Sequence, residues 1–427
     1  MVFFRGYFRL WLLSLGILMS HSPTQAQEEK RASEKRTLIE LVSAALSNSQ
    51  ILGSQDARVQ QTRLSASQVR IWPGLSLDFS TGRKKVGSAR GPSYGASFAQ
   101  PLPLLGKPGL QGEILDLESE SWRIHRGAMQ TQVTLEVVQL AYEYTVNQQK
   151  VRFIENRQKR FELIQSYLTG RVFPTPQRKM ESRIVQNHLK NLSSDAIQSQ
   201  ARFEASVENL KIYVPLNPGE YPNIDTPWFL GEKRLGQNDA LAQFLQKNPD
   251  LHVQKLVVKS AELEKTLALK NRYPDLSVGA SYEESRADET EKDYGVGLNL
   301  ALPFWNLNRA GIKSAEQKRL AEDKQLGFDE QRRKADLLRL LVEFEAARRV
   351  VQQYPKNLLT ELEAQIREGE EGFRKGQVDL LTFLELDSST AETFDRVLDA
   401  QRNFAGTLAQ YLVLIGELDP LTQLTSF

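Results

Sequence analysis

Little in this chain is equipped for covalent chemistry. It contains no cysteine, which excludes thiol nucleophiles, disulfides, iron–sulfur clusters, thiolate zinc sites and a lipid anchored on cysteine. Imidazole comes only from His21, His125, His188 and His252, a supply that argues against a multi-histidine metal site. No phosphate-cradling glycine loop, His-Glu-x-x-His pair or nucleophile elbow is read. Asp and Glu total 53, but they fall on stretches that read as charged helix faces. Lys and Arg total 55, for a net charge of +2, so no strongly basic nucleic-acid surface is expected. The residue types point away from catalysis, cofactors and resident metals. They point toward work done by surfaces: apolar faces, helix seams and turns.

The most specific surface chemistry lies in four short alternating runs. Residues 75–81 place Leu75, Leu77 and Phe79 against Ser76, Asp78 and Ser80; residues 94–100 follow with Phe98 among small residues. Residues 276–283 put Leu276, Val278, Ala280 and Tyr282 on one face, and 293–300 do the same with Tyr294, Val296, Leu298 and Leu300. Alternation at period two is the mark of a half-buried strand. The connections at 82–93 and 284–292 are polar and charged, as suits exposed loops. Two readings stay open. The hairpins could pack on the helices or on each other. Alternatively, they could form part of a membrane barrel, with one face to lipid and one to a lumen. A single chain could not close such a barrel, because the smallest have about 8 strands and lipid tolerates no open edge. Three chains would supply about 12 strands, in keeping with cyclic symmetry.

The elements that must position these strands are long helices. Proline is absent between Pro108 and Pro174 and between Pro176 and Pro215, and only Pro355 interrupts Pro303 to Pro420. Val133, Leu140, Ile154, Phe161 and Leu168 lie on one seven-residue series, with Asn147 at the remaining position. Val137, Tyr144 and Val151 form its companion. Leu337, Phe344, Val351 and Leu358, with Leu340, Ala347 and Tyr354, repeat the pattern, a coiled-coil seam in both places. A helix from Lys107 to Gly170 would run roughly 95 Å, far beyond a globular domain, so it must pack along other helices. Pro355 should kink the second long helix or mark a break in it.

The halves resemble each other. Asn48-Ser49-Gln50-Ile51 answers to Asn248-Pro249-Asp250-Leu251, and Trp72-Pro73-Gly74-Leu75 to Tyr273-Pro274-Asp275-Leu276. Tyr94-Gly95 and Pro103 answer to Tyr294-Gly295 and Pro303, and Tyr167-Leu168-Thr169-Gly170 to Phe373-Arg374-Lys375-Gly376. Matches in one order indicate an internal duplication. The organisation read is a first repeat at 27–213, a proline-rich equatorial linker at 214–236, a second repeat at 237–418 and a tail at 419–427. Residues 1–26 read as a cleaved secretory signal: Arg5 and Arg9, an apolar run from Leu10 to Met19, then Thr24-Gln25-Ala26. An amphipathic or membrane anchor is the rival reading. On averages the chain looks soluble and core-forming: 427 residues, 25% charged, 40% hydrophobic, mean hydropathy −0.43.

With these residues in view, the chain resembles the outer-membrane efflux family typified by TolC over about 38–418. The strand ends Gln100-Pro101-Leu102-Pro103-Leu104-Leu105-Gly106-Lys107 and Leu302-Pro303-Phe304-Trp305-Asn306-Leu307-Asn308-Arg309-Ala310-Gly311 are similar to those of the CzcC-like branch, which serves heavy-metal exporters of the resistance-nodulation-division class. The resemblance implies a mainly α fold with small β. As a homotrimer it would form a 12-stranded outer-membrane barrel continued by a periplasmic helical barrel, a channel and not an enzyme, without cofactors. It also implies, as partners, a periplasmic adaptor, an inner-membrane pump and outer-membrane lipid. It carries Tyr167, Gly170, Phe373, Gly376, Leu380 and Leu381 to adaptor-docking tips, although an ordinary helix C-cap would serve the glycines equally well. It places Thr382 and Glu385 where some members hold a ring of paired carboxylates; a solvated helix face is the equal rival for Glu385. Phe173-Pro174-Thr175-Pro176 departs from the smooth helical return and predicts a stiffer first tip. The non-family alternative is a periplasmic coiled-coil scaffold without a pore.

Overall fold

The structure is a computed structural model that describes residues 35–170, 175–217, 221–286, 289–300 and 307–417. The signal reading at 1–26, Phe173-Pro174, Leu302 to Asn306 and the tail at 419–427 lie outside the described residues.

A capping box starts the first helix. Thr37 Oγ1 accepts from the Glu40 amide (3.3 Å), and Glu40 Oε2 accepts from the Thr37 amide (3.0 Å). Strand β1 (Lys35–Thr37) leads into α1 (Leu38–Asn48) and α2 (Gln50–Arg70). Then come β2 (Ser76–Val86), β3 (Ala89–Leu102), α3 (Lys107–Thr169) and α4 (Pro176–Lys211). A short β4 (Asn223–Asp225) pairs in parallel with β1. The helix–helix–strand–strand–long helix order then recurs as α5 (Gln237–Lys247), α6 (Pro249–Lys270), β5 (Leu276–Arg286), β6 (Thr290–Leu300) and α7 (Arg309–Val351). Helices α8 (Leu358–Arg374) and α9 (Leu380–Ile415) complete the chain. The repeated Asn/Ser motifs are helix starts: Ser49 Oγ accepts from the Leu52 amide, and Asn248 Oδ1 from the Leu251 amide.

Helix α3 runs unbroken for 63 residues, whereas its counterpart stops at Val351 and resumes at Leu358. Pro355 lies in that gap, where its missing amide breaks no helical hydrogen bond. Leu337, Leu340, Phe344, Ala347 and Val351 are buried as their spacing predicts. In α3 the seam is interrupted locally: Phe153 and Arg157 are buried while Ile154 is half-buried, and Phe161 and Leu168 of the same series are buried again.

Both strand-to-helix junctions use left-handed backbone at consecutive residues, Leu105 (φ 64°) and Gly106 (φ 67°) in the first, Leu307 (φ 41°) and Asn308 (φ 51°) in the second. Such angles are uncommon outside glycine and need support. Lys270 Nζ donates to the Leu105 carbonyl (2.7 Å), Lys107 Nζ to Asp275 Oδ1 (2.7 Å), and Asn308 Nδ2 to the Ala268 carbonyl (2.8 Å). Each junction is thereby tied to the end of α6.

The proline-rich segment is a belt strapped to the helices. Tyr144 Oη donates to the Pro222 carbonyl and Tyr142 Oη to that of Pro227. Gln401 brackets Phe229, accepting from its amide and donating to its carbonyl, each at 2.9 Å. The buried Arg348 guanidinium and Gln352 both donate to the Gly231 carbonyl. Under the belt lies the main apolar core, to which α1, α3, α4, α5, α6, α7 and α9 contribute around Tyr144, Phe229, Phe344 and Phe404. Two smaller clusters follow along the rod. One surrounds Phe153 and Phe394; the other, nearest the helix ends, holds Phe161, Leu168, Phe373 and Phe383.

Candidate functional site

One sheet of order β2-β3-β5-β6, antiparallel throughout, gathers both hairpins. The segments read as loops at 82–93 and 284–292 are largely strand: Val86 pairs with Ala89, and Arg286 with Thr290. Alternating hydrophobicity stops near residue 82, but the backbone ladder continues, because backbone groups gain hydrogen bonds whatever the side chains carry. Gly87, at φ 58°, makes the tight turn of the first hairpin possible.

Register sorts the side chains onto two faces. One face holds Leu77 and Phe79 of β2, Phe98 of β3, Leu276, Val278 and Tyr282 of β5, and Val296 and Leu298 of β6. Phe79, Val296 and Leu298 are 80%, 86% and 73% exposed; Leu276, Val278 and Tyr282 are half-buried, and Leu75, just before β2, is exposed. The opposite face carries Ser76, Asp78, Ser80, Ser93, Ser97, Ser277, Ser281, Glu283 and Asn299 with several glycines. On it Lys84 lies beside its glycine partner Gly91 and reaches Glu291 at 3.3 Å. Exposed Trp72 and Tyr273 precede the apolar band at one end, and Tyr94, Tyr282 and Tyr294 close it at the other. From Tyr273 to Tyr282 the chain spans at most about 30 Å at 3.3 Å per residue, and less when tilted, which matches a band of about 25 Å. Among the described residues, β2 and β6 each pair on one side only.

Gly91-Pro92-Ser93-Tyr94-Gly95 carries the Gly-x-Ser-x-Gly spacing, but it lies within β3, paired to its neighbours, and not at a strand-to-helix turn. It is no nucleophile elbow. No group of three or more His, Asp or Glu that could hold a metal occurs among the described residues, and no described helix is long and apolar enough to cross a membrane.

The helix ends place the other expected residues. Tyr167 Oη donates to the Arg374 carbonyl (3.3 Å), and its ring meets Phe373 edge-on at 6.2 Å, so the two tips touch. Gly376 takes φ 74°, with the Gln377 and Val378 amides donating back to the Gly372 carbonyl. Gly170 has φ −71° and makes no use of left-handed backbone. Leu380 is buried and Leu381 exposed. Thr382 donates its amide to Asp379 Oδ1, which caps α9. The bond from Thr382 holds the Asp379 carboxyl below its usual range. Thr382 and Glu385 are both exposed on the first turns of α9.

Sequence reasoning missed Asp387. It is fully buried and paired with Arg157, and His188 is adjacent. The signal was present in α9: Leu380, Asp387, Phe394, Gln401, Leu408 and Ile415 form one seven-residue series of buried positions, interrupted by two polar residues. Each interruption has a dedicated partner, Arg157 for Asp387 and the Phe229 backbone for Gln401.

Residues 240–417 match the outer membrane efflux protein family. The solved structure of CusC superposes with a TM-score of 0.69 at 15% identity, over 88% of this chain and 91% of that one. The CmeC outer membrane channel of Campylobacter jejuni gives 0.71 at 15% identity, over 89% and 85%. The open-state MtrE outer membrane channel of Neisseria gonorrhoeae gives 0.68 at 16%, over 89% and 88%. The chain shares the fold of these outer membrane channels. No curated protein sequence matches the chain.

Proposed function

We propose that this protein is the outer-membrane channel of a tripartite efflux system, a passive gated duct from periplasm or pump to the exterior. The observation that carries the reading is the four-stranded sheet, with its exposed apolar face between aromatic ends and its two open edges. Such a sheet is unstable alone in water or lipid, since one face is apolar and two rows of backbone groups lack partners. Three copies, β6 of each meeting β2 of the next, close about 12 strands and leave no edge. Leu75, Leu77, Phe79, Phe98, Leu276, Val278, Tyr282, Val296 and Leu298 then face lipid, and the serine- and glycine-rich face lines water. Residues 1–26 direct export, 214–236 form the equatorial belt, and the helices stand in the periplasm.

Tyr167, Gly170, Phe373, Gly376, Leu380 and Leu381 form the tips on which an adaptor docks, with an inner-membrane pump beyond. Exposed Leu381 beside a glycine turn supports that role. Glu385 lines the tip aperture as a single carboxylate ring with Thr382. The cargo includes heavy-metal cations; support comes from the strand-end resemblance, and selection is the work of the pump. The scaffold reading without a pore leaves the apolar sheet face without a purpose.

In planar bilayers the detergent-extracted protein is expected to conduct, and in gels to run as a heat-modifiable trimer. A mature chain recovered as a water-soluble monomer overturns the duct. For cargo, a deletion strain should gain sensitivity to metal cations; sensitivity to organic compounds alone overturns the metal assignment.

A further inference from the structure

We propose that the far end of the sheet carries a binding site for phosphate-bearing lipid headgroups, formed by Arg83 and Lys85 of β2 and Arg90 of β3. The inference rests on reading the sheet as one third of an outer-membrane barrel. Register decides which way each charge points. The β2–β3 ladder runs unbroken from Ser76–Ala99 to Val86–Ala89, so Arg83 and Lys85 share a face with Leu77 and Phe79, and Arg90 shares it with Tyr94 and Phe98. On the same face of the second hairpin, Glu284 and Arg286 follow Tyr282, and Lys292 precedes Tyr294. Beyond the tyrosines, therefore, the lipid-facing side turns from apolar to basic. The opposite face turns acidic there: Lys84 shares it with Glu283, Glu291 and Asp293, and reaches Glu291 at 3.3 Å and Asp293 at 3.9 Å. Strands β2 and β6 lie three spacings apart in the sheet, about 14 Å if it were flat. A tie across that distance fits a sheet curled toward its polar face, with the basic face on the convex outside.

The basic side lacks counter-ions of its own. Glu284 is its carboxylate among the described strand residues, and it is already held: Arg286 Nε donates to its Oε1 (2.7 Å) and Tyr282 Oη to its Oε2 (2.9 Å). The sheet's ion pairs are those of Lys84 and Arg286; Arg83, Lys85 and Arg90 are exposed and have none among the described residues. Lys85 and Arg90 oppose each other directly across the ladder, an arrangement that costs stability without an anion beside them. The turn after β5 adds Asp288 and Glu289, of which Asp288 lies outside the described residues. With both counted on this side, Arg83, Lys85, Arg90, Arg286 and Lys292 still outnumber the carboxylates, five to three. Height selects the anion. Arg90 stands four residues from Tyr94 on its own strand, and Arg83 two from Thr81, the cross-strand partner of Tyr94. Along a tilted strand these steps rise roughly 5–10 Å, the depth of a headgroup layer beside a hydrocarbon core of about 30 Å. Guanidinium forks take phosphate oxygens in pairs. The apolar band continues directly into the basic one, so a lipid with its acyl chains on Phe79 and Phe98 presents its phosphates to Arg83, Lys85 and Arg90.

The test uses the detergent-extracted trimer. It is titrated with fluorescent diphosphoryl lipid A, then competed with unlabelled diphosphoryl lipid A, the same lipid without phosphates, and inorganic phosphate. The diphosphoryl lipid should compete at least about tenfold better than the dephosphorylated one, and inorganic phosphate only weakly. Each cation near a membrane surface is worth about a fivefold factor in affinity, so Arg83→Gln, Lys85→Gln and Arg90→Gln combined should weaken binding roughly 100-fold. Lys84→Gln, on the opposite face of the same strand, should bind as the wild type does. Equal competition by the two lipids overturns the site, as does a triple variant that keeps wild-type affinity. Inorganic phosphate competing as well as the diphosphoryl lipid overturns the lipid assignment. Should the triple variant fail to assemble, the comparison of the two lipids on the wild type still decides. A trimer that conducts but does not distinguish the lipids overturns the site and leaves the duct standing; a water-soluble monomer overturns both.

Discussion

At Gly376 the backbone sits at φ 74°, where a Cβ is strained whatever space surrounds it. Gly376→Ala should raise local opening of residues 373–385 by about 1 kcal/mol, read by native-state hydrogen exchange. Gly170→Ala, at φ −71°, should cost less than about 0.5 kcal/mol, so the two tip glycines separate by backbone conformation alone. Glu345 offers a pH test. The bond from Arg348 holds its carboxyl down at about 2, against opposing burial and with help from Arg349. Because the folded value is depressed from an ordinary 4.5, its contribution is complete above that value and is lost as pH falls toward 2. Acid unfolding between pH 4.5 and 2 should be shallower in Glu345→Gln than in the wild type.

Among the elements, the sheet makes the sharpest prediction, because neighbouring residues on one strand have opposite fates. Val278→Lys places a charge on the apolar face and should cost about 2–4 kcal/mol near a bilayer midplane, seen as loss of heat-modifiable trimer from membranes. Ser281→Lys, on the opposite face of the same strand, should assemble normally and change only conductance. The belt makes a second prediction. Gln401→Leu leaves the Phe229 amide and carbonyl buried and unpaired, at a cost of about 1–3 kcal/mol, and should open 222–236 to limited proteolysis before the helices melt. The long-helix seams and the strand starts were legible because they follow from spacing. The outer strand halves were not, since Arg83, Lys85 and Lys292 give no apolar alternation even though the ladder holds them.

For the whole molecule, the tertiary packing explains why one copy of the long helix is continuous and the other broken. The gap at 352–357 opens where Arg348 and Gln352 clamp the belt at Gly231. Cutting the belt interactions at both Gln401 and Arg348 should lower the thermal midpoint by more than either change alone, because both anchor the same strap. The sequence by itself determined the helices, the four strands and the duplication, since these depend on periodicity and residue type over short spans. Only the tertiary structure decided which face of the sheet is apolar in register, that the proline-rich segment is a clamped belt, and that Arg157, His188 and Asp387 meet. Asp387 lies 230 positions from Arg157, and no local pattern in sequence can report a partner at that separation. Burial makes the pairing necessary: a carboxylate without water must find a cation, and packing of three helices determines which one.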